Sequence, residues 1–186
     1  CGQSGQLIRN AENLGIDLKE TKKIIISHGH YDHTGGLMDV LKYIGKDTDV
    51  FCSSKIFENK LAGAKKGDSK EGYRFVGIKG RKQDFEEHGA VFKFIEQPFE
   101  INKNIFLSGA VKRDFFNPGE KNHFFKNENG ITVNDDMSDE ISLYYFKKEI
   151  NMIVTGCAHR GIINIQHHSE EIKEKSILKD NKKTIN

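Results

Sequence analysis

The chain is poor in cysteine, in long apolar runs and in net charge. Its three cysteines, Cys1, Cys52 and Cys157, are odd in number, widely spaced and without a C-x-x-C pair. A disulfide framework is therefore excluded, and the expectation is reduced thiols in a cytoplasmic setting. The longest apolar stretches, such as Ile24-Ile25-Ile26 and Met152-Ile153-Val154, are strand length. A bilayer span needs about 20 apolar residues, so no membrane association is expected. Lys plus Arg total 29 against 27 for Asp plus Glu, a formal net charge of +2 that carries no nucleic-acid footprint. No internal repeat or low-complexity linker is present. Position 1 is Cys and the first Met is Met38, which suggests a processed chain, a domain or a piece of something longer.

What is present is a globular vocabulary: 186 residues, 36% hydrophobic, with 13 Phe and 5 Tyr. That is one domain with enough material for a core. Residues 6–15 place Leu7, Ala11 and Leu14 on one helical face. Residues 23–27 read as a strand covered on both faces, because the isoleucine run is continuous rather than alternating. Leu37, Val40, Leu41 and Ile44 are helically spaced, with Gly45 as the stop. Residues 49–52, 90–95 and 105–109 are strand candidates, 83–88 is a short helix, and 141–146 with 151–155 form a hairpin. Residues 161–175 form an amphipathic helix, and 179–186 are a polar tail after a domain spanning 1–178. Residues 59–73, rich in Lys and Gly, read as a solvated loop without chemistry, and the turn-rich stretch 112–137 as one long loop. Alternating strands and helices predict an α/β domain.

The chemistry is concentrated in His28-Gly29-His30-Tyr31-Asp32-His33, directly after the first buried strand. Composition alone would place such an H-x-H-x-D-H run roughly once in a thousand sequences of this length. In extended backbone the side chains at i and i+2 point the same way, so His28 and His30 can pinch one cation. Asp32 and His33 can then serve a second. Imidazole nitrogen and carboxylate oxygen suit Zn²⁺, and Mn²⁺ or Fe²⁺ take the same donors. A pair of such ions would activate a shared water and hold both the attacking and the leaving oxygen.

The run resembles the signature of the metallo-β-lactamase superfamily, which stands here intact as His28, His30, Asp32 and His33. The resemblance implies an αβ/βα sandwich and a third histidine just after a later strand, a role that His159 fits. The segment from Thr155 to Asn164, the opening Gly2-Gln3-Ser4-Gly5 and the run Asp135 to Glu140 are similar to one branch. That branch holds metal-dependent hydrolases and pterin-linked aminobenzene phosphate synthases. By the same resemblance, His28, His30 and His159 complete metal site one, while site two has only Asp32 and His33 here. The family's earlier acid and its later ligands fall outside the chain, so the fold is expected to be incomplete at both ends. The implied activity is hydrolysis of an ester, amide or phosphoester of a small-molecule substrate by a metal-activated water, with two Zn²⁺ in the complete site and Asp32 orienting the nucleophile. The alternatives are a pterin-linked transferase and a truncated, inactive fragment that keeps one metal site.

The remaining candidates have plainer readings. His88 suits a helix end, where its ring meets the terminal carbonyls. His167 and His168 read as solvated helix residues, since the eight or nine positions separating them from His159 span about 12–13 Å of helix. The aromatic cluster of Phe115, Phe116, Phe124 and Phe125 around His123 reads as a satellite core, with a substrate pocket as the sharper alternative. Lys112 and Arg113 could hold a phosphate. Cys157 reads as a small buried residue at a strand end, and Tyr31 as packing or as an oxyanion hydrogen-bond donor.

Overall fold

A computed structural model describes residues 1–63, 72–115 and 124–183. In chain order its helices and strands are α1 (Gln6–Asn13), β1 (Lys23–Ile25), α2 (Tyr31–Thr34), α3 (Leu37–Ile44), β2 (Thr48–Cys52), β3 (Lys60–Gly63), β4 (Tyr73–Phe75) and α4 (Lys82–Glu86). There follow β5 (Ala90–Phe94), β6 (Phe99–Asn102), β7 (Ile105–Leu107), β8 (Phe124–Glu128), β9 (Ile131–Asn134), β10 (Leu143–Lys147), β11 (Ile150–Val154) and α5 (Ile162–Lys183).

The strands form three sheets. β1, β2 and β5 are parallel, with Ile24 opposite Val50 and Val50 opposite Phe92. β11, β10, β7 and β6 form an antiparallel sheet, as do β4, β3, β8 and β9. Alternation along the strands builds the layers. Ile24, Val50 and Cys52 face α3, packing on Leu37, Val40, Leu41 and Ile44. Their neighbours Ile25 and Phe51 point the other way, onto Leu107 and Leu143 of the second sheet. The far face of that sheet carries Tyr144 and Phe146, which pack on Ile165 and Ile172 of α5. Helix, parallel sheet, antiparallel sheet and helix therefore stack in the αβ/βα order, and the isoleucine run is covered on both sides as expected.

Several local expectations are corrected. On α1, Ala11 is buried and Ile8 packs against the core, whereas Leu7 and the C-cap Leu14 are exposed. Residues 60–63 and 73, expected in a solvated loop, belong to strands, because Lys60 is held by buried carboxylates and β3 pairs with both β4 and β8; positions 64–71 lie outside the described residues. The long loop expected over 112–137 contains the hairpin β8–β9. Its two-residue turn is Asn129-Gly130, both at positive φ (52° and 85°), which is the backbone that an Asn-Gly pair favours between twisted strands. Helix α5 runs on to Lys183, through the start of the expected polar tail. No Gly or Pro interrupts Leu178 to Lys183, and lysine and leucine are good helix formers.

Candidate metal centre

The end of β1 delivers the histidine run. The Ile26 amide still donates to Phe51 O at 2.9 Å, and Ile141 N–H donates to Ser27 O at 2.7 Å, so the chain is held from both sides up to His28. His30 then caps the single turn α2 with extended backbone, and Thr34 Oγ1 donates back to its carbonyl at 3.0 Å. Between the two histidines, a Cβ at Gly29 would collide with the Ile56 carbonyl oxygen. This close approach lets His28 be fully buried and His30 nearly so, at 5% exposure.

The end of β11 delivers the third imidazole. A Cβ at Gly156 would lie 2.5 Å from Ser27 Oγ, so only glycine allows this loop to lie against the base of the histidine run. Ala158 takes a left-handed conformation, φ 54°, between Cys157 and His159. The next residue locks the turn: Arg160 N–H donates to Glu140 Oε2 at 2.8 Å and Arg160 Nε to Val111 O at 2.7 Å.

Three rings consequently meet. His28 Nε2 and His30 Nδ1 are 3.2 Å apart, and the His159 ring centre is 5.0 Å from that of His28 and 5.2 Å from that of His30. Two imidazole nitrogens bound to one tetrahedral cation at ~2.0–2.1 Å stand about 3.3 Å apart. The His28–His30 pair is thus spaced as two ligands of one ion. The Nε2 atom of His159 is buried without a hydrogen-bond partner among the described residues, an arrangement that costs free energy unless something fills it. Ser27 Oγ lies 3.1 Å from His28 Nδ1, and in the tautomer with the proton on that nitrogen His28 keeps a lone pair on Nε2. Burial, followed by repulsion from the other imidazoles and Lys60, lowers the His28 pKa; burial lowers His30 to about 4 and also lowers His159. All three are therefore neutral at physiological pH, the state that ligates metal. The donor set fits a divalent cation of the zinc type.

On the open side, His33 Nε2 lies 3.7 Å from Asp32 Oδ2 and 3.2 Å from Cys157 Sγ. The Asp32 side chain is half exposed, suited to meeting water or substrate. Cys157, expected to be buried, is exposed, because the turn that aims His159 inward leaves the preceding residue at the rim. Partial burial of its thiol group, and then Asp32 and Glu140, push its pKa up. Phe124 forms a wall, its ring 4.7 Å from His30 and 5.5 Å from His159. The satellite core expected around it does not form as one unit: Phe125 packs on Tyr73 and the exposed Phe115 stacks on His167. Phe116 and His123 lie outside the described residues.

Sequence reasoning missed the support beneath the loop. Asp139 Oδ2 accepts the Gly29 amide at 2.7 Å, and Lys60 Nζ donates to Asp135 Oδ2 at 2.7 Å and to Asp139 Oδ1 at 2.8 Å. Each of these three side chains is 1% exposed or less. Burial works against the Lys60 charge, and Asp139 and Asp135 more than offset it, holding its pKa above the ordinary lysine value. Two carboxylates against one ammonium leave an excess of negative charge behind the histidines, which favours a cation in front. The signal was the acidic run from Asp135 to Glu140, without anything in the sequence to pair it with Lys60.

Among the other candidates, His88 meets Asp84 O at 2.8 Å through Nδ1, as a helix-end residue should. His168 is not solvated: its Nδ1 lies 3.1 Å from the buried Tyr144 hydroxyl, because α5 lays that face on the sheet. Arg113 reaches back to His159 O at 3.1 Å rather than into open space, while Lys112 is exposed.

A model of the metallo-beta-lactamase superfamily matches residues 1–100, over half of the chain. The chain belongs to the metallo-beta-lactamase superfamily. Within that superfamily it is similar to the 7,8-dihydropterin-6-methyl-4-(beta-D-ribofuranosyl)-aminobenzene-5'-phosphate synthase of Methanocaldococcus jannaschii, 31% identical over 89% of this chain and 56% of the synthase. It is also 30% identical to an uncharacterized protein of the same organism, over 94% of this chain and 62% of that one. The chain thus spans about three fifths of the length of these superfamily relatives. The crystal structure of Tm1679, a metal-dependent hydrolase of the beta-lactamase superfamily, superposes with a TM-score of 0.74 at 33% identity, covering 91% of this chain and 59% of that one. No helix among the described residues is long and apolar enough to cross a membrane.

Proposed function

We propose that the chain acts as a metal-dependent hydrolase of an ester, amide or phosphoester in a small-molecule substrate. His28, His30 and His159 would hold one divalent cation, zinc by donor type, and Asp32 and His33 would contribute to a second. The observation that carries this reading is the meeting of His159 with the His28–His30 pair at ligand spacing, in a buried pocket of neutral imidazoles. A bound cation of this kind supplies Lewis acidity and lowers the pKa of water toward ~7. The chain's own groups do the rest. Asp32, exposed and beside His33, accepts a proton from the attacking water and orients it. Phe124 limits solvent access on one side of the histidines. The test is metal content by mass spectrometry together with turnover of phosphodiester and ester substrates. Two cations and turnover that a chelator abolishes support the reading; metal-replete protein without turnover of any such substrate counts against it.

A second reading, transfer in the manner of the pterin-linked synthase, is favoured by the 31% identity that runs through 89% of the chain. Here the same cation would assist departure of pyrophosphate as a carbon–nitrogen bond forms at the carbon that carried it. Single-turnover product analysis with a phosphate ester against a pterin pyrophosphate separates the two.

A further inference from the structure

Cys157 occupies a place that neither the histidine signature nor the three-histidine site assigns. Its sulfur lies 3.2 Å from His33 Nε2. It also forms a compact group with His28 and His159, whose ligand atoms and the sulfur all lie within 4.8 Å of one another. The left-handed backbone of Ala158 shapes the turn that brings residues 157 and 159 to the same ligand group. The turn is held by Gly161 N–H donating to Ala158 O at 2.8 Å. Within that group, His28 is fully buried and the Nε2 atom of His159 is buried without a hydrogen-bond partner among the described residues.

We infer that Cys157 is a metal ligand of this centre, binding a thiophilic divalent cation through its thiolate between His33 and the His28–His159 pair. This rests on the metal reading above and adds a sulfur donor to it. With metal–nitrogen and metal–sulfur distances of ~2.0–2.1 Å and ~2.3 Å, a sulfur and a nitrogen on one tetrahedral ion stand about 3.5 Å apart. The 3.2 Å between Cys157 Sγ and His33 Nε2 is close to that edge. On binding, the thiol proton leaves to bulk water, one per cation held by the sulfur, and the thiolate supplies a negative donor on the side where the sequence offers only Asp32 and His33. The chemistry selected is soft: zinc, cobalt and cadmium over magnesium and calcium.

The experiment is a cobalt(II) titration of the full chain, wild type, C157S, C157A and C1S. Equilibrium dialysis and the visible cobalt bands report binding regardless of ligand type, while a near-ultraviolet sulfur-to-cobalt charge-transfer band reports the thiolate alone. The expected result is a charge-transfer band in wild type and C1S that is absent from C157S and C157A, with cobalt affinity in the two variants down by at least about tenfold. Bound cobalt without the band in wild type, or a band that survives in C157S, overturns the inference and leaves the histidine site standing. No bound cobalt overturns both. Should the variants fold poorly, zinc protection of Cys157 in the wild type from iodoacetamide, mapped by mass spectrometry, decides the same question: at least about tenfold slower alkylation is expected on the scale of ligand loss, and an unchanged rate overturns the inference.

Discussion

The Gly29 amide hydrogen bonds the Asp139 carboxylate at 2.7 Å, across 110 positions of sequence. The same carboxylate takes a second hydrogen bond from Lys60 at 2.8 Å. The loop between His28 and His30 is therefore tied to a buried charge cluster and not to solvent, and its geometry is set before any cation arrives.

Removing that tie should be costly. Asp139→Ala leaves the Gly29 N–H without its acceptor and Lys60 with one carboxylate instead of two, a loss expected at about 3–5 kcal/mol. For a chain of this size the melting temperature should fall by about 10 °C. Asp139→Asn keeps an acceptor for Gly29 and should lose less. Thermal and urea unfolding of both variants decide it, and equal losses would show that the charge, not the amide bond, is what counts.

His159→Ala should leave the fold nearly intact, because this ring is only partly buried, and should abolish the first cation site. The affinity loss should exceed the roughly 10–100-fold typical of outer-shell partners. Isothermal titration with zinc is the measurement; unchanged affinity would remove His159 from the ligand set.

Gly156→Ala introduces a Cβ 2.5 Å from Ser27 Oγ and 3.4 Å from His28 Nδ1. The loop must retreat, which moves His159 from its partners. We expect about 1–3 kcal/mol of destabilisation from the steric conflict, with a drop in zinc affinity. Ala at exposed Gly130, where nothing lies within 4 Å, tests the turn alone and should leave zinc binding unchanged.

The pH dependence of the metal-free protein follows from the lowered imidazole pKa values. Burial lowers His30 from 6.5 to about 4, and His28 and His159 shift in the same direction. Between these limits the unfolded chain binds protons that the folded chain refuses, so stability falls as pH drops from about 6.5 toward 4. Each pKa unit corresponds to about 1.4 kcal/mol, so melting temperatures at about pH 7.5 and about pH 5, one above that window and one inside it, should differ by several degrees. Replacing His30 by Gln should flatten the profile; a profile with the opposite slope would contradict the assignment.

Tyr144→Phe separates scaffold from site. The hydroxyl donates to Ile165 O at 3.3 Å and faces His168 Nδ1 at 3.1 Å, inside the interface with α5. Its loss should cost about 1 kcal/mol and leave zinc affinity unchanged.

Much of this architecture is legible in the residues. The isoleucine run at 24–26, the helical spacing from Leu37 to Ile44 and the Gly45 stop each point to the element that forms, because hydrophobic period and capping are local properties. The ligand signature is legible for the same reason: His28 and His30 are close in the chain. Lys60 illustrates the opposite case. In a lysine- and glycine-rich stretch it reads as a solvated charge, and only strand pairing brings the two carboxylates that make its burial tolerable. Cys157 reads as a buried strand-end residue until the left-handed Ala158 turns it to the rim.

By itself, then, the amino-acid order determines the α/β character and the histidine run, since these depend on period and spacing, while the layer order and the expectation of His159 as a third imidazole rest on the family resemblance. Only the tertiary structure decides that the run is anchored by a lysine and two aspartates, that a phenylalanine walls it, and that a cysteine stands among the histidines. The physical reason is that these are contacts between residues far apart in sequence, formed when the sheets pack, and no local pattern encodes which distant partner will satisfy a buried charge or an imidazole lone pair.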